Sequence, residues 1–236
     1  HRLIRRQRQM CIRDSYSIIN SNGRESMSNG MFITFEGADG CGKTTQQMLA
    51  ADYLESKGYE VLITREPGAK GLGEDIRKIL LDYKGPVSER CESLLFLADR
   101  AQHVDNMILP AIEKGQIVLC DRYTDSTVAY QGYGRQQNLE RIKKLNDFAT
   151  NLLKPDLTFV FNIDVETSMQ RVGKEKDRME SEGKEFHNRV RNGYLEIAKQ
   201  EPERIKVIDA SMSIEEIHEE VKKVICLLYT SPSPRD

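Results

Sequence analysis

Three glycines, a lysine and two threonines fall within nine residues of this chain: Gly37, Ala38, Asp39, Gly40, Cys41, Gly42, Lys43, Thr44 and Thr45. From Gly37 to Thr44 the order fits G-x-x-x-x-G-K-[ST], the phosphate-binding loop. Glycines let the backbone curl until several N–H groups point at one phosphate. A helix beginning at Lys43 adds the partial positive charge of its N-terminus. Lys43 then reaches the β and γ oxygens of a nucleoside triphosphate, and the Thr44 hydroxyl suits Mg²⁺. The motif is specific for the nucleotide and silent on the reaction, because GTPases, ATPases and kinases share it.

Two absences narrow the field. The chain has no N-K-x-D for reading guanine. The apolar run 116–121 ends in Asp121-Arg122, not Asp-Glu, so a water-activating carboxylate of the ATPase kind is not evident. Arg122, at a strand end near the cradle, instead places positive charge on a transferring or accepting phosphate.

The elements that must hold these residues follow from periodicity. Short apolar, β-branched runs at 31–37, 59–65, 116–123, 156–164 and 204–210 read as buried strands. Between them lie helical patterns at 43–57, 73–83, 88–115 (bent or broken at Pro110), 124–131, 138–152, from Val165, 185–200 and 213–225. Ser213 and Glu216 stand in capping-box register at the start of the last. Strand–helix alternation predicts an α/β fold: a five-stranded parallel sheet covered by helices on both faces. Ligands in such sheets bind at the carboxyl ends of the strands, where Gly37, Arg65, Asp121 and Asp164 fall.

The 236 residues carry 39% hydrophobic and 31% charged residues, an ordinary globular balance. No apolar run approaches the ~18 residues of a membrane helix. A net charge of −2 gives no basis for a nucleic-acid or membrane partner. The ends look foreign to the body. Residues 5–15 (RRQRQMCIRDS) and 226–236 (CLLYTSPSPRD) resemble translated frames of a transposase sequencing adapter. The expected organisation is an adapter-derived or leader segment at 1–30, disordered, a single domain at 31–225 with a short lid at about 172–185, and an adapter-derived tail at 226–236. Without its ends the chain keeps Cys41, Cys91 and Cys120, with no C-x-x-C spacing, which predicts a reducing, cytoplasmic setting.

Beyond the loop, seven segments occur in one order: FEGADGCGKTTQ (35–46), TREPG (64–68), LLFLADRAQH (94–103), DRYTDSTVAYQGYG (121–134), KPDLTFVFNID (154–164), DRMES (177–181) and FHNRVRNGY (186–194). Together they resemble the bacterial thymidylate kinases and cover nearly all of 31–225. The resemblance implies the P-loop kinase fold, with ATP and Mg²⁺ as cofactors, dTMP as acceptor and dTDP as product. It further implies a homodimer, through long helices such as 88–112. Lys43, Arg122 and Asp39 are then the catalytic residues, Asp39 orienting the acceptor side or Mg²⁺. Phe96 and Arg100, four apart on one helix face, address one ligand: Phe96 stacks on the thymine and Arg100 bonds a base oxygen. Thr127, Tyr130 and Gln131 reach the base and sugar. Arg65, Arg77 and Arg122 clamp the 5′-phosphate, and Glu66, beside Pro67, holds an arginine or the sugar. Where some members carry an arginine inside the loop, this chain has Gly40 and Cys41. The lid should therefore supply the charge, from Arg171, Lys174, Lys176 or Arg178. The run 67–73 also departs from the family's glycine-glycine-threonine pattern. Cys41, a thiol at a helix N-terminus, is expected to be sensitive to oxidation and alkylation and protected by ATP.

Overall fold

The computed structural model of the chain describes residues 30–171 and 177–230. The expectations for 1–29, for 231–236 and for Lys174 and Lys176 lie outside the described residues. The apolar runs form β1 (Met31–Gly37), β2 (Val61–Arg65), β3 (Ile117–Asp121), β4 (Leu157–Asn162) and β5 (Ile205–Asp209). All neighbours pair in parallel, in the order β2-β3-β1-β4-β5. From β1 the chain first builds β2 and β3 on one side, then crosses to build β4 and β5 on the other. A crevice therefore opens at the carboxyl end of β1, the switch point of the sheet.

Alternation along β1 sets the two layers. Ile33 and Phe35 point into a core closed by α1 (Lys43–Ser56) and α9 (Ile214–Thr230), through Ala50, Ala51, Leu54, Ile217, Val221 and Ile225. Phe32 faces the opposite layer, packing with Val104, Ile108, Val118 and Tyr123. Farther along that face, Val160 meets Phe186, Val190 and Tyr194 of α8 (Lys184–Gln200). Thr34 and Glu36, also fully buried, are polar interruptions of a strand that is otherwise apolar. Thr34 is matched across the sheet by Thr158, with hydroxyl oxygens 2.6 Å apart. Glu36 belongs to the site.

Departures from the expected elements have local causes. The helix read at 88–115 is three pieces: α3 (Glu89–His103), a π-helical stretch Val104–Ile108, and α4 (Leu109–Glu113). Pro110 lacks an N–H and its ring crowds the carbonyl four residues back, so the turns ahead of it widen. The segment after β3 is likewise α5 (Thr124–Thr127) followed by a π-helical stretch Val128–Gly134, before α6 (Leu139–Ala149). The remaining helices are α2 (Leu72–Asp82) and α7 (Val165–Arg171). Ser213 and Glu216 form the expected reciprocal cap: Ser213 N–H donates to Glu216 Oε2 (3.0 Å) and Glu216 N–H to Ser213 Oγ (3.2 Å). The helix it opens continues through Thr230, past the boundary set at 225.

Candidate active site

The loop after β1 is built as its composition requires. Gly37 has φ +139°, and a Cβ there would lie 2.6 Å from the Phe161 carbonyl oxygen. Gly42, at φ +92°, meets nothing, so backbone conformation alone demands the glycine. Lys43 is 6% exposed and its Nζ donates to the Ala38 carbonyl (2.8 Å), bridging the loop from inside. Thr44 Oγ1 donates to Asp121 Oδ2 at the end of β3 (2.8 Å), while Asp121 Oδ1 is buried with no hydrogen-bond partner. A hydroxyl and an unsatisfied carboxylate oxygen at a phosphate loop form an oxygen donor set suited to Mg²⁺. The sequence signal for Asp121 is an acid closing an apolar strand, without the following glutamate of the ATPase kind.

Arg122 follows with φ +70°, a left-handed backbone unusual for a side-chain-bearing residue. Its N–H bonds back to the Phe35 carbonyl (2.9 Å), which turns the side chain over the loop. There Nη1 donates to the Gly37 carbonyl (3.0 Å) and Nη2 to Asp39 Oδ1 (2.6 Å), with the guanidinium 5.0 Å from the Tyr130 ring centre. Burial by itself would raise the Asp39 carboxyl, but Arg122 and Lys43 outweigh it and hold Asp39 well below the usual carboxylate range. Behind Arg122 lie Ser126 Oγ (3.3 Å from Nη1) and Tyr194 OH (3.2 Å). Both hydroxyls bond the buried Glu36 Oε2, at 2.6 and 3.1 Å. Burial and the nearby Asp125 push the Glu36 carboxyl up to about 7.

One cavity runs along the loop and is lined by Gly40, Lys43, Thr44, Thr45, Arg65, Arg77, Asp121, Arg122 and Arg171. Burial and the neighbouring Arg65 lower the Arg77 guanidinium from its ordinary value, the mark of cations gathered with too few anions. A second cavity, open to solvent, adjoins the first. Its walls include Glu66, Pro67, Phe96, Arg100, Ser126, Thr127, Tyr130 and Gln131. Asp39, Glu66, Arg77 and Arg122 line both cavities.

Arg100, 1% exposed, commits four of its five N–H groups within the protein. Nε donates to Glu66 Oε2 (2.8 Å), Nη1 to Thr127 Oγ1 (2.7 Å) and Asn146 Oδ1 (2.6 Å), and Nη2 to the Tyr123 carbonyl (2.8 Å). Burial works against this charge, but Glu66 outweighs it and raises the guanidinium above its ordinary value. Glu66 Oε1 also accepts from His103 Nδ1 (2.9 Å), whose Nε2 accepts from Thr64 Oγ1 (2.8 Å). Glu66 thus holds an arginine, one of its two expected roles. The loop behind it is fixed by Asp99, which accepts from Gly68 N–H (3.1 Å), and by Arg77, which donates to the Pro67 carbonyl (2.7 Å).

Two expected features sit elsewhere. Arg178 turns away from the loop: Nη1 donates to the buried Glu92 Oε2 on α3 (2.6 Å) and Nε to the Leu80 carbonyl (3.0 Å). Of the described lid candidates only Arg171 lines the phosphate cavity, with Nη1 on the Ala210 carbonyl (3.3 Å). The Cys41 side chain is 1% exposed and packs into the core beneath the loop, so the thiol is shielded where an accessible one was expected. Asp164, at the strand end, accepts from Thr167 N–H (2.8 Å) and caps α7. His103, Glu92, Asn146, Glu36, Ser126 and Tyr194 had no local sequence signal. Each takes its place through partners distant in the chain.

Two adjoining cation-lined chambers, one ending at the loop and one at an apolar ring and a buried arginine, define a P-loop nucleoside monophosphate kinase. The Thymidylate kinase family model matches residues 35–221. A thymidylate kinase from Desulfovibrio desulfuricans is 47% identical over 197 residues, 79% of this chain and 91% of the relative. One from an Exiguobacterium species is 49% identical over 197 residues, 82% and 92% respectively. The crystal structure of thymidylate kinase from Ehrlichia chaffeensis superposes with a TM-score of 0.69 at 41% identity, covering 84% of this chain and 98% of that one. The chain belongs to the thymidylate kinase family.

Proposed function

We infer that this chain phosphorylates dTMP with ATP, giving dTDP and ADP. The observation that carries the reading is the shared wall of the two cavities, where Arg122 and Asp39 stand between the loop and the pocket of Phe96 and Arg100. ATP lies with its β and γ phosphates in the N–H groups of the loop and against Lys43. The acceptor lies with its base on Phe96, its base oxygen toward the remaining Arg100 N–H, and its 5′-phosphate toward Arg65, Arg77 and Arg122. A monophosphate oxygen is already an anion, so no strong base is needed. The bond from the γ phosphorus to the β-bridging oxygen breaks as the bond to the acceptor oxygen forms. The protein aligns the two phosphates and offsets their charge. Thr44 and Asp121 are the residues that would hold Mg²⁺, which supplies charge neutralisation at the β and γ oxygens when bound. Asp39 orients Arg122, and Tyr130, whose OH donates to Asp39 Oδ2 (3.2 Å), closes the sugar side. Arg171 supplies the arginine charge that Gly40 and Cys41 leave out of the loop.

A homodimer through α3 is supported by the outward Leu94, 54% exposed on that helix. A cytoplasmic setting is supported by Cys41, Cys91 and Cys120, which form no disulfide. No described helix is long and apolar enough to cross a membrane.

The full chain is tested with ATP, Mg²⁺ and a panel of nucleoside monophosphates, following ADP release and product. Stimulation by dTMP well above the other monophosphates, with dTDP formed, is the expected result. ADP release that ignores every monophosphate refutes the acceptor assignment.

A further inference from the structure

Glu92 is a carboxylate 1% exposed at the first turn of α3, and the phosphoryl transfer described above makes no use of it. It accepts from Gln131 Nε2 (3.0 Å), from Arg135 Nε and Nη2 (3.3 and 3.1 Å) and from Arg178 Nη1 (2.6 Å). Burial by itself would raise this carboxyl, but those donors outweigh it and hold it below its ordinary value. An ionised carboxylate only accepts hydrogen bonds, so the amide nitrogen of Gln131 must face it. The orientation of that amide therefore follows from chemistry and needs no choice between its O and N atoms. Arg135 and Arg178 occupy the rest of the carboxylate and keep it from turning.

Committing Nε2 to Glu92 turns the carbonyl Oε1 of Gln131 to the opposite side of the amide, as the acceptor it can offer the cavity it lines. Arg100, which keeps one N–H uncommitted, lines the same cavity. An acceptor and a donor on its walls match a pyrimidine that donates at N3 and accepts at O4. Cytosine presents the reverse, an acceptor at N3 and an amino donor at C4.

We propose that Glu92 is a specificity-determining positioning residue. By accepting from Gln131 Nε2 it holds the amide carbonyl toward the acceptor cavity, which then takes a base edge that donates at the ring nitrogen and rejects one that accepts there. The inference rests on the dTMP kinase reading and deepens it. In the absence of the carboxylate the Gln131 amide is free to invert and present nitrogen to the base, relaxing discrimination without touching the phosphate machinery.

The test is the ratio of kcat/KM for dTMP over dCMP, measured on the full chain. Glu92→Gln should lower the ratio about tenfold, ~1.4 kcal/mol, chiefly by raising KM for dTMP. Gln131→Met should lower it by a similar factor, and the double variant should fall no further than either single one, because Glu92 acts through Gln131. Arg135→Gln removes a partner of Glu92 while leaving the carboxylate against Gln131, so it should lower Tm and keep the ratio. A folded Glu92→Gln with the wild-type ratio overturns the proposal, as does a double variant whose losses multiply. Should Glu92→Gln fail to fold, Gln131→Met carries the test, and an unchanged ratio there refutes it. A wild-type chain whose ADP release ignores every monophosphate overturns the functional reading and this inference with it. Wild-type activity with unchanged ratios in the variants overturns this inference alone.

Discussion

Glu66→Gln separates charge from shape at the base end of the site. The amide keeps the size of the side chain and one acceptor, but two donors converge on it, Arg100 Nε and His103 Nδ1, at 2.8 and 2.9 Å. The histidine side can repair itself: the imidazole moves its proton to Nε2, donates to Thr64 Oγ1, and accepts from the new amide nitrogen. Arg100 has no such remedy. It is 1% exposed, and its other partners, Thr127, Asn146 and the Tyr123 carbonyl, are neutral. A hydrogen bond to a charged group is worth about 1.5–3 kcal/mol, and breaking a buried ion pair costs about 3–5 kcal/mol. With one acceptor surviving, the loss should fall near the lower end of the second range, about 3 kcal/mol. For a chain of this size that lowers Tm by about 6–12 °C. Thermal melting by circular dichroism reads it directly, with steady-state kinetics alongside, where KM for dTMP should rise more than kcat falls. Asp75→Asn, which removes an ion pair to Lys78 whose side chains are 70% and 72% exposed, should melt with the wild type. A Glu66→Gln variant that melts within about 2 °C of wild type would show that Glu66 does not sustain the buried charge of Arg100.

Arg122→Lys keeps a positive charge but cannot span Asp39, the Gly37 carbonyl and a phosphate together, so kcat should fall about 100-fold; stopped-time ADP assays check this, and near-wild-type kcat argues against Arg122 at the transferring phosphate. The Glu36 carboxyl is raised from 4.5 to about 7, so the folded state binds the extra proton between those values. Its contribution is complete below about pH 4.5 and is lost as pH rises through about 7. Glu36→Gln removes that titration, so melting curves from pH 5 to 8 should show the variant gaining on wild type as pH rises; parallel curves would sink the assignment. Cys91 is exposed and Cys41 buried under the loop, so thiol reagents followed by mass spectrometry should label Cys91 quickly and Cys41 only on unfolding; rapid, ATP-blocked labelling of Cys41 would restore the reactive-thiol expectation.

The sequence by itself determined what is local. The loop from Gly37 to Thr44 works through backbone conformations and N–H groups contributed by adjacent residues, so composition and spacing suffice to read it. Buried strands announce themselves by apolar, β-branched runs, and their alternation with helices leaves a parallel sheet as the arrangement that covers both faces. Phe96 and Arg100 were legible as a pair because a helix sets their spacing. The tertiary structure alone decided which charges meet. Glu36 reaches Tyr194 across 158 positions of the chain, Arg178 leaves the loop for Glu92 across 86, and Glu66 finds Arg100 across 34. Nothing in the local pattern ranks one buried anion over another as the partner of an arginine. That choice depends on which groups folding removes from water together, because a buried charge is tolerated only where an opposite charge and matching donors are buried with it.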